Sequence, residues 1–117
     1  MTLRELFFEV SNATNRPLLA YEIIFLCVDM YRQDQKYVLK HTIDEMLCVD
    51  TEKRKGFSKN TISVISALEK SGILKKYSIV NGELADYRGS PFALAVSLDA
   101  AVLSVFNGDS AASTALR

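Results

Sequence analysis

The run F-S-K-N-T-I-S-V-I-S-A-L-E-K-S-G-I-L-K-K, Phe57 to Lys76, decides the fold. Ser58 has the chemistry of an N-cap, because its hydroxyl can accept from the otherwise unpaired amides of a first helical turn. Phe57 before it and Ile62 after it have hydrophobic-staple spacing. Ile62, Ile65 and Leu68, with Glu69 at their edge, recur at the three-and-four spacing of one helical face and are expected to point inward. Lys59, Asn60, Ser63, Ala67 and Lys70 fall on the other face, which is short, polar and partly basic, so this helix can approach a partner closely. Gly72 supplies the left-handed position that stops the helix before the strand-like Ile73-Leu74.

Upstream, Thr42 followed by Glu45 has the capping-box spacing and predicts a short helix with Ile43, Met46 and Leu47 inward. Cys48 to Gly56 then links the two helices as a long, charged turn. Before them come a brief strand at Tyr37-Val38-Leu39, a helix from Leu18 to Arg32 that is apolar nearly all round with Pro17 in its first turn, and an amphipathic helix over Thr2 to Val10. Downstream, Asn81-Gly82 between two strand-like runs is a strong hairpin signal, pairing Ile79 with Leu84, Tyr77 with Asp86 and Lys75 with Arg88. Gly89-Ser90-Pro91 ends the hairpin. Phe92 to Phe106 reads as a final helix with a stripe of Leu94, Leu98, Ala101, Val102 and Val105, and residues 107–117 read as a disordered tail. The fold class expected is mainly α with a small β-hairpin, in a single domain over residues 1–106.

With 117 residues, 49% of them apolar, the chain can build one core without disulfide or metal staples. Cys27 and Cys48 share no zinc-ligand spacing with the lone His41, and no signal segment opens the chain, so a reduced, cytoplasmic protein is expected. The longest apolar stretch, Leu18 to Tyr31, is interrupted by Glu22 and Asp29 and is shorter than the roughly 20 residues of a membrane span. Net charge is zero, yet Arg32 to Lys76 holds ten basic groups against six acids, while each flank has two against four. A solvated charged face is the plain account of that surplus; a phosphate-facing surface is the functional one.

The order helix, helix, short strand, short helix, longer helix, β-hairpin, helix is that of a winged helix-turn-helix. T-I-D-E-M-L followed by the Phe57–Lys76 run resembles the helix-turn-recognition-helix-wing passage of winged-helix transcription regulators of the MarR-like and plasmid- or phage-borne kinds. Ser58, Thr61, Ile62, Leu68, Gly72 and Ile73 match the most specific part of the pattern, and the likeness covers about Tyr37 to Arg88. It departs from the family in the long turn at Cys48 to Phe57 and in a wing tip, Asn81-Gly82-Glu83, that lacks an Arg or Lys. The resemblance implies sequence-specific binding of double-stranded DNA by a homodimer acting in transcription regulation or in plasmid or phage maintenance. The alternative, a winged-helix adaptor that binds protein and not DNA, stays open because a fold does not dictate function.

On the DNA reading, Asn60, Ser63 and Ala67 face bases, with Ser58 at the start of their helix. Lys59, Lys70 and the Lys53-Arg54-Lys55 run meet phosphates or base edges, and the wing stem adds Lys75, Lys76 and Arg88 as phosphate contacts. The terminal helices are expected to form the dimer seam through Leu3, Phe7, Leu94, Leu98, Val102, Val105 and Phe106. Catalysis is not expected. His41 has no triad around it in sequence, and Asp44-Glu45 point about 100° apart on a helix and cannot share a proton or metal. Neither a metal nor a cofactor is expected, and the partners foreseen are double-stranded DNA, a second copy of the chain and, on the adaptor alternative, another protein, not a membrane.

Overall fold

The computed structural model describes residues 1–89 and 93–107, so residues 108–117 of the expected tail and the expected helix start at Phe92 lie outside the described residues, whereas Asn107, expected to open the tail, ends the last helix. α1 spans Leu3–Ala13 and opens with a capping box: Thr2 accepts from the Glu5 amide at 3.1 Å while Glu5 reaches back to the Thr2 amide at 3.3 Å. α2 spans Pro17–Arg32 with proline in its first turn, as expected, and buries Ala20, Ile23, Ile24, Leu26, Cys27 and Val28. Leu6 and Val10 of α1 pack into the same core.

α3 spans Lys40–Leu47 and α4 spans Arg54–Lys70, and both begin earlier than their cap signals suggested. Thr42 is inside α3, which starts from Leu39 without a side-chain cap. Ser58 is likewise inside α4, because the turn before it is already nucleated. Asp50 accepts from the Glu52 amide at 3.0 Å, the Lys53 and Arg54 amides bond back to Asp50 and Thr51, and the helix continues from there. The inward face of α4 is correspondingly Thr61, Val64, Ile65 and Leu68, with Ile62 half-buried on the flank toward α3. Thr61 is tolerated in the core because its hydroxyl donates to the Phe57 carbonyl one turn back, at 2.9 Å. The C-terminus of α4 is as expected. Gly72 takes φ +76, the Ile73 amide bonds to the Leu68 carbonyl at 2.9 Å and the Gly72 amide to the Glu69 carbonyl at 3.0 Å, the paired bonds of a Schellman stop.

The larger correction concerns the sheet. Four antiparallel strands stand where a small hairpin was expected: β1 (Val38–Leu39), β2 (Leu74–Val80), β3 (Glu83–Asp86) and β4 (Leu94–Leu98), in spatial order β1-β4-β2-β3. The protein is therefore mixed α/β. The hairpin has the expected register, Ile79 opposite Leu84 and Tyr77 opposite Asp86, and its turn residues Asn81 and Gly82 both take positive φ. β3 ends at Asp86, so Arg88 is not paired with Lys75; its amide instead donates to the buried Ser78 hydroxyl at 2.7 Å. Leu94 to Leu98 is not helix but the central strand, matched to Val38-Leu39 on one side and Leu74–Ser78 on the other. Asp99, which looked like an interruption of one long helix, is the boundary. Its amide donates to the Ile73 carbonyl at 2.9 Å, and its carboxylate accepts from the Ala101 amide at 3.0 Å to open α5, Ala100–Asn107.

This rearrangement alters the expected dimer seam. Leu94 and Val102 lie in the core of the single chain, packed with Val38, Ile73 and Val96, and Leu98 is half-buried against them. These side chains need no partner chain to cover them, because β4 itself brings Leu94 and Val96 inward and carries α5 onto the core. Leu3 and Phe7 remain exposed, and Val105 and Phe106 half-exposed. No helix among the described residues is long and apolar enough to cross a membrane.

Candidate nucleic-acid interface

With Thr61, Val64, Ile65 and Leu68 turned inward, the 3.6-residue period puts Gly56, Lys59, Ser63 and Lys70 along the opposite side of α4, flanked by Asn60, Ser66 and Ala67. Lys59, Ser63 and Lys70 are exposed and Asn60 and Ala67 half-buried. Lys53 and Lys55 are exposed at the start of the same helix, and Lys75 on the adjoining strand. Among the described residues none of these five lysine side chains takes part in a hydrogen bond or ion pair, so each is available to an outside anion. Val64, which could have met a thymine methyl had it faced outward, is buried.

Two expected phosphate contacts, Arg54 and Lys76, and the expected DNA-facing Ser58 are engaged within the chain. Arg54 is half-buried and donates through Nη2 to the Cys48 carbonyl at 3.1 Å, so it holds the long turn closed. Lys76 lies 4.7 Å above the Tyr87 ring centroid and 3.9 Å from Glu69 Oε1, with the Ser66 hydroxyl at 3.5 Å. Ser58 is not a cap: its oxygen accepts from Lys40 Nζ, which also pairs with Asp44. The Arg88 side chain stays exposed beyond the end of β3.

The Lys40, Asp44 and Ser58 cluster is absent from the sequence reading. Lys40 and Asp44 are both buried, one helical turn apart on α3, and Asp44 Oδ1 is buried with no hydrogen-bond partner among the described residues, so Lys40 alone satisfies the carboxylate. The signal was present as Lys and Asp four residues apart, but it speaks only if the helix starts at Lys40 and not at Thr42. A Ser beside a Lys also invites a nucleophile-and-base reading. As an ammonium donating to a carboxylate, however, Lys40 has no lone pair with which to take the Ser58 proton. His41 lies 2.5 Å from Glu45 Oε1 in an exposed pair at the mouth of this cluster. Burial pushes the Cys27 thiol up to about 12, so it stays protonated and unreactive at neutral pH.

The two flanks of α4 differ in charge. Toward α1, a cavity of about 690 Å³ is lined by Glu5 and Glu9 with Arg4 and Phe8, and reaches Ser71 at the end of α4. Toward α3, a cavity of about 390 Å³ is lined by Lys40, Lys55, Lys59, Ser58 and Ile62, together with His41 and Asp44. A polyanion laid along α4 therefore meets the ammonium groups of Lys55 and Lys59 on the α3 side, while Glu5 and Glu9 come near the helix only at Ser71, past its C-terminal end. No family of known proteins, no curated protein and no solved structure matches this chain.

Proposed function

We propose that the chain is a winged helix-turn-helix protein that binds double-stranded DNA sequence-specifically as a homodimer, in transcription regulation or in plasmid or phage maintenance. The observation that carries this reading is the outer stripe of α4, where small side chains and exposed lysines lie on a helix fixed by a wholly buried opposite face. The topology supports it as well. α2, α3 and α4 pack on one another, β1 between α2 and α3 joins the sheet that follows α4, and the β2–β3 hairpin projects at the sheet edge where a wing would stand. In this reading Ser63 and Asn60 face base edges, and Lys53, Lys55, Lys59, Lys70 and Lys75 meet phosphates. Arg54 and Lys76 serve the fold.

Lys59→Ala is expected to weaken binding to all duplexes alike and to flatten the dependence of log K on log salt by about one counterion. Asn60→Ala is expected to cost about 1 to 3 kcal/mol and to relax specificity at one position. Mobility shifts over a salt series check both. Parent-like binding by the two variants would remove α4 from the interface, and no duplex binding by the parent at low salt would leave the protein-binding adaptor as the reading.

The dimer seam in this proposal keeps Leu3, Phe7 and Phe106 of the expected set, drops the buried Leu94 and Val102, and centres on a ladder of aromatic rings across three helices. Phe7 meets Tyr21 edge-on at 5.2 Å, Tyr21 stacks on Phe25 at 6.3 Å, and Phe25 meets Phe106 edge-on at 5.6 Å. Beside them Leu18 is 72% exposed and Leu3 46%, an amount of outward apolar surface that a second copy of the same face would cover. Phe25→Glu changes a side chain that is 49% exposed, so the fold should survive. The variant is expected to halve the mass seen by light scattering and to lower duplex affinity by about tenfold or more, since each monomer keeps only one half-site. A monomeric parent at high concentration would rule the seam out.

A further inference from the structure

The cavity between α3 and α4 has a chemistry that the duplex-facing stripe does not require. Its most buried cation is Lys40, only 5% exposed, whose ammonium donates to Asp44 and to Ser58. Because Ser58 uses an oxygen lone pair to accept from Lys40, its own proton remains to be donated, and among the described residues it donates to nothing. At the rim stand the exposed ammonium groups of Lys55 and Lys59, neither paired among the described residues, with exposed His41 beside them. The one carboxylate in the lining, Asp44, is already neutralised by Lys40, and the neighbouring Glu45 is turned to His41. What remains unmatched is a hydroxyl donor below two positive charges.

We infer that this cleft binds a phosphate ester. Two ammonium groups acting as point charges and one hydroxyl donor suit an anion with several oxygens and one to two negative charges. The space of about 390 Å³ exceeds what a bare phosphate fills and lies in the range of small-ligand pockets. Ile62 and the aliphatic stems of Lys55 and Lys59 give it an apolar wall for an organic substituent. Two sources share this chemistry: a small phosphomonoester, and the phosphodiester backbone of a nucleic acid passing along α4. Lys55 and Lys59 belong both to the cleft and to the outer stripe, so a bound monoester would withdraw two phosphate contacts from a duplex; that consequence rests on the DNA reading, whereas binding in the cleft does not.

The test is an NMR titration of the ¹⁵N-labelled protein in three separate arms, with phenyl phosphate, inorganic phosphate and a short mixed-sequence duplex. Phenyl phosphate is expected to shift the amides of His41 to Asp44 and Lys55 to Ile62 with a dissociation constant of roughly millimolar order, and inorganic phosphate to do so more weakly. Lys59→Ala and Lys55→Ala should each weaken phenyl phosphate by about tenfold, and Ser58→Ala by several-fold, with the remaining amides undisturbed. Shifts at these amides from the duplex alone would support the site with the nucleic-acid backbone as its ester. Phenyl phosphate binding without duplex binding would support the cleft and remove the DNA reading. Silence in all three arms up to about 20 mM small ligand, or binding that Lys59→Ala and Ser58→Ala leave unchanged, overturns the proposal.

Discussion

Asp44→Ala is expected to destabilise the protein by about 3 to 5 kcal/mol, read as a fall in the urea midpoint with little change in slope, because it leaves a buried ammonium without its counter-charge. Lys40 and Asp44 side chains are each only 6% exposed, and Lys40 has no other acid among its partners. The Ser58 hydroxyl it also meets is neutral and cannot replace a carboxylate. The penalty belongs to the unpaired charge and not to the net worth of the pair, so Lys40→Met combined with Asp44→Leu should recover most of the loss. That double variant should also lose phenyl phosphate affinity, since Ser58 would no longer be held from below. A loss of less than about 1 kcal/mol for Asp44→Ala would mean that the lysine stem swings its charge to water, in which case Lys40 does not order the cleft.

The same cluster marks where sequence reading reached its limit. Features decided within five or six residues were legible: Gly72 stops α4 with its two paired bonds, Asn81-Gly82 turns the hairpin in the expected register, and Pro17 starts α2. In each case one residue type is nearly alone in satisfying the local backbone. The outer stripe of α4 was legible too, because a 3.6-residue period survives a shift in where the helix begins. Helix starts were not. Ser58 and Thr42 have the chemistry of caps, yet the Asx turn at Asp50 had already launched α4, and tertiary contact with Lys40 gave Ser58 a different partner. Arg54 and Lys76 could not be told from free cations, since their partners, the Cys48 carbonyl and the Tyr87 ring, become neighbours only in the folded chain. Leu3 and Phe7, exposed although they share a helical side with the buried Leu6 and Val10, show the converse, for a helical stripe predicts which side is buried only when its neighbour is known.

The most consequential ambiguity was the run A-L-A-V-S-L, Ala93 to Leu98, apolar enough to serve as a buried helix or a buried strand. Proline substitutions at 95, 97 and 101 separate the two. In a single helix from Phe92 to Phe106, residue 95 would be the fourth position, where proline removes one bond to the cap carbonyl, while 97 and 101 would both be interior and cost about 3 kcal/mol or more each. In β4, Ala95 is fully buried and stands between Leu39 of β1 and Tyr77 of β2. Whichever neighbour its amide faces, proline removes a ladder bond in the centre of the sheet, leaves a buried carbonyl unpaired and forces its ring against an adjacent strand. The expected loss is about 3 kcal/mol or more, a large share of the roughly 5 to 15 kcal/mol by which an ordinary domain is stable. Ser97→Pro should be costly for the same reason, since Ser97 is matched to Lys75 in the ladder. Ala101→Pro, in the first turn of α5 just after the Asp99 cap, disturbs only the amide that Asp99 accepts from and should cost far less, about 1 kcal/mol. Circular dichroism and urea melts of the three variants are expected to place 95 and 97 far below 101; a loss at 101 as large as that at 97 would return Leu94–Leu98 to a helix and, with it, Leu94 and Leu98 to the surface.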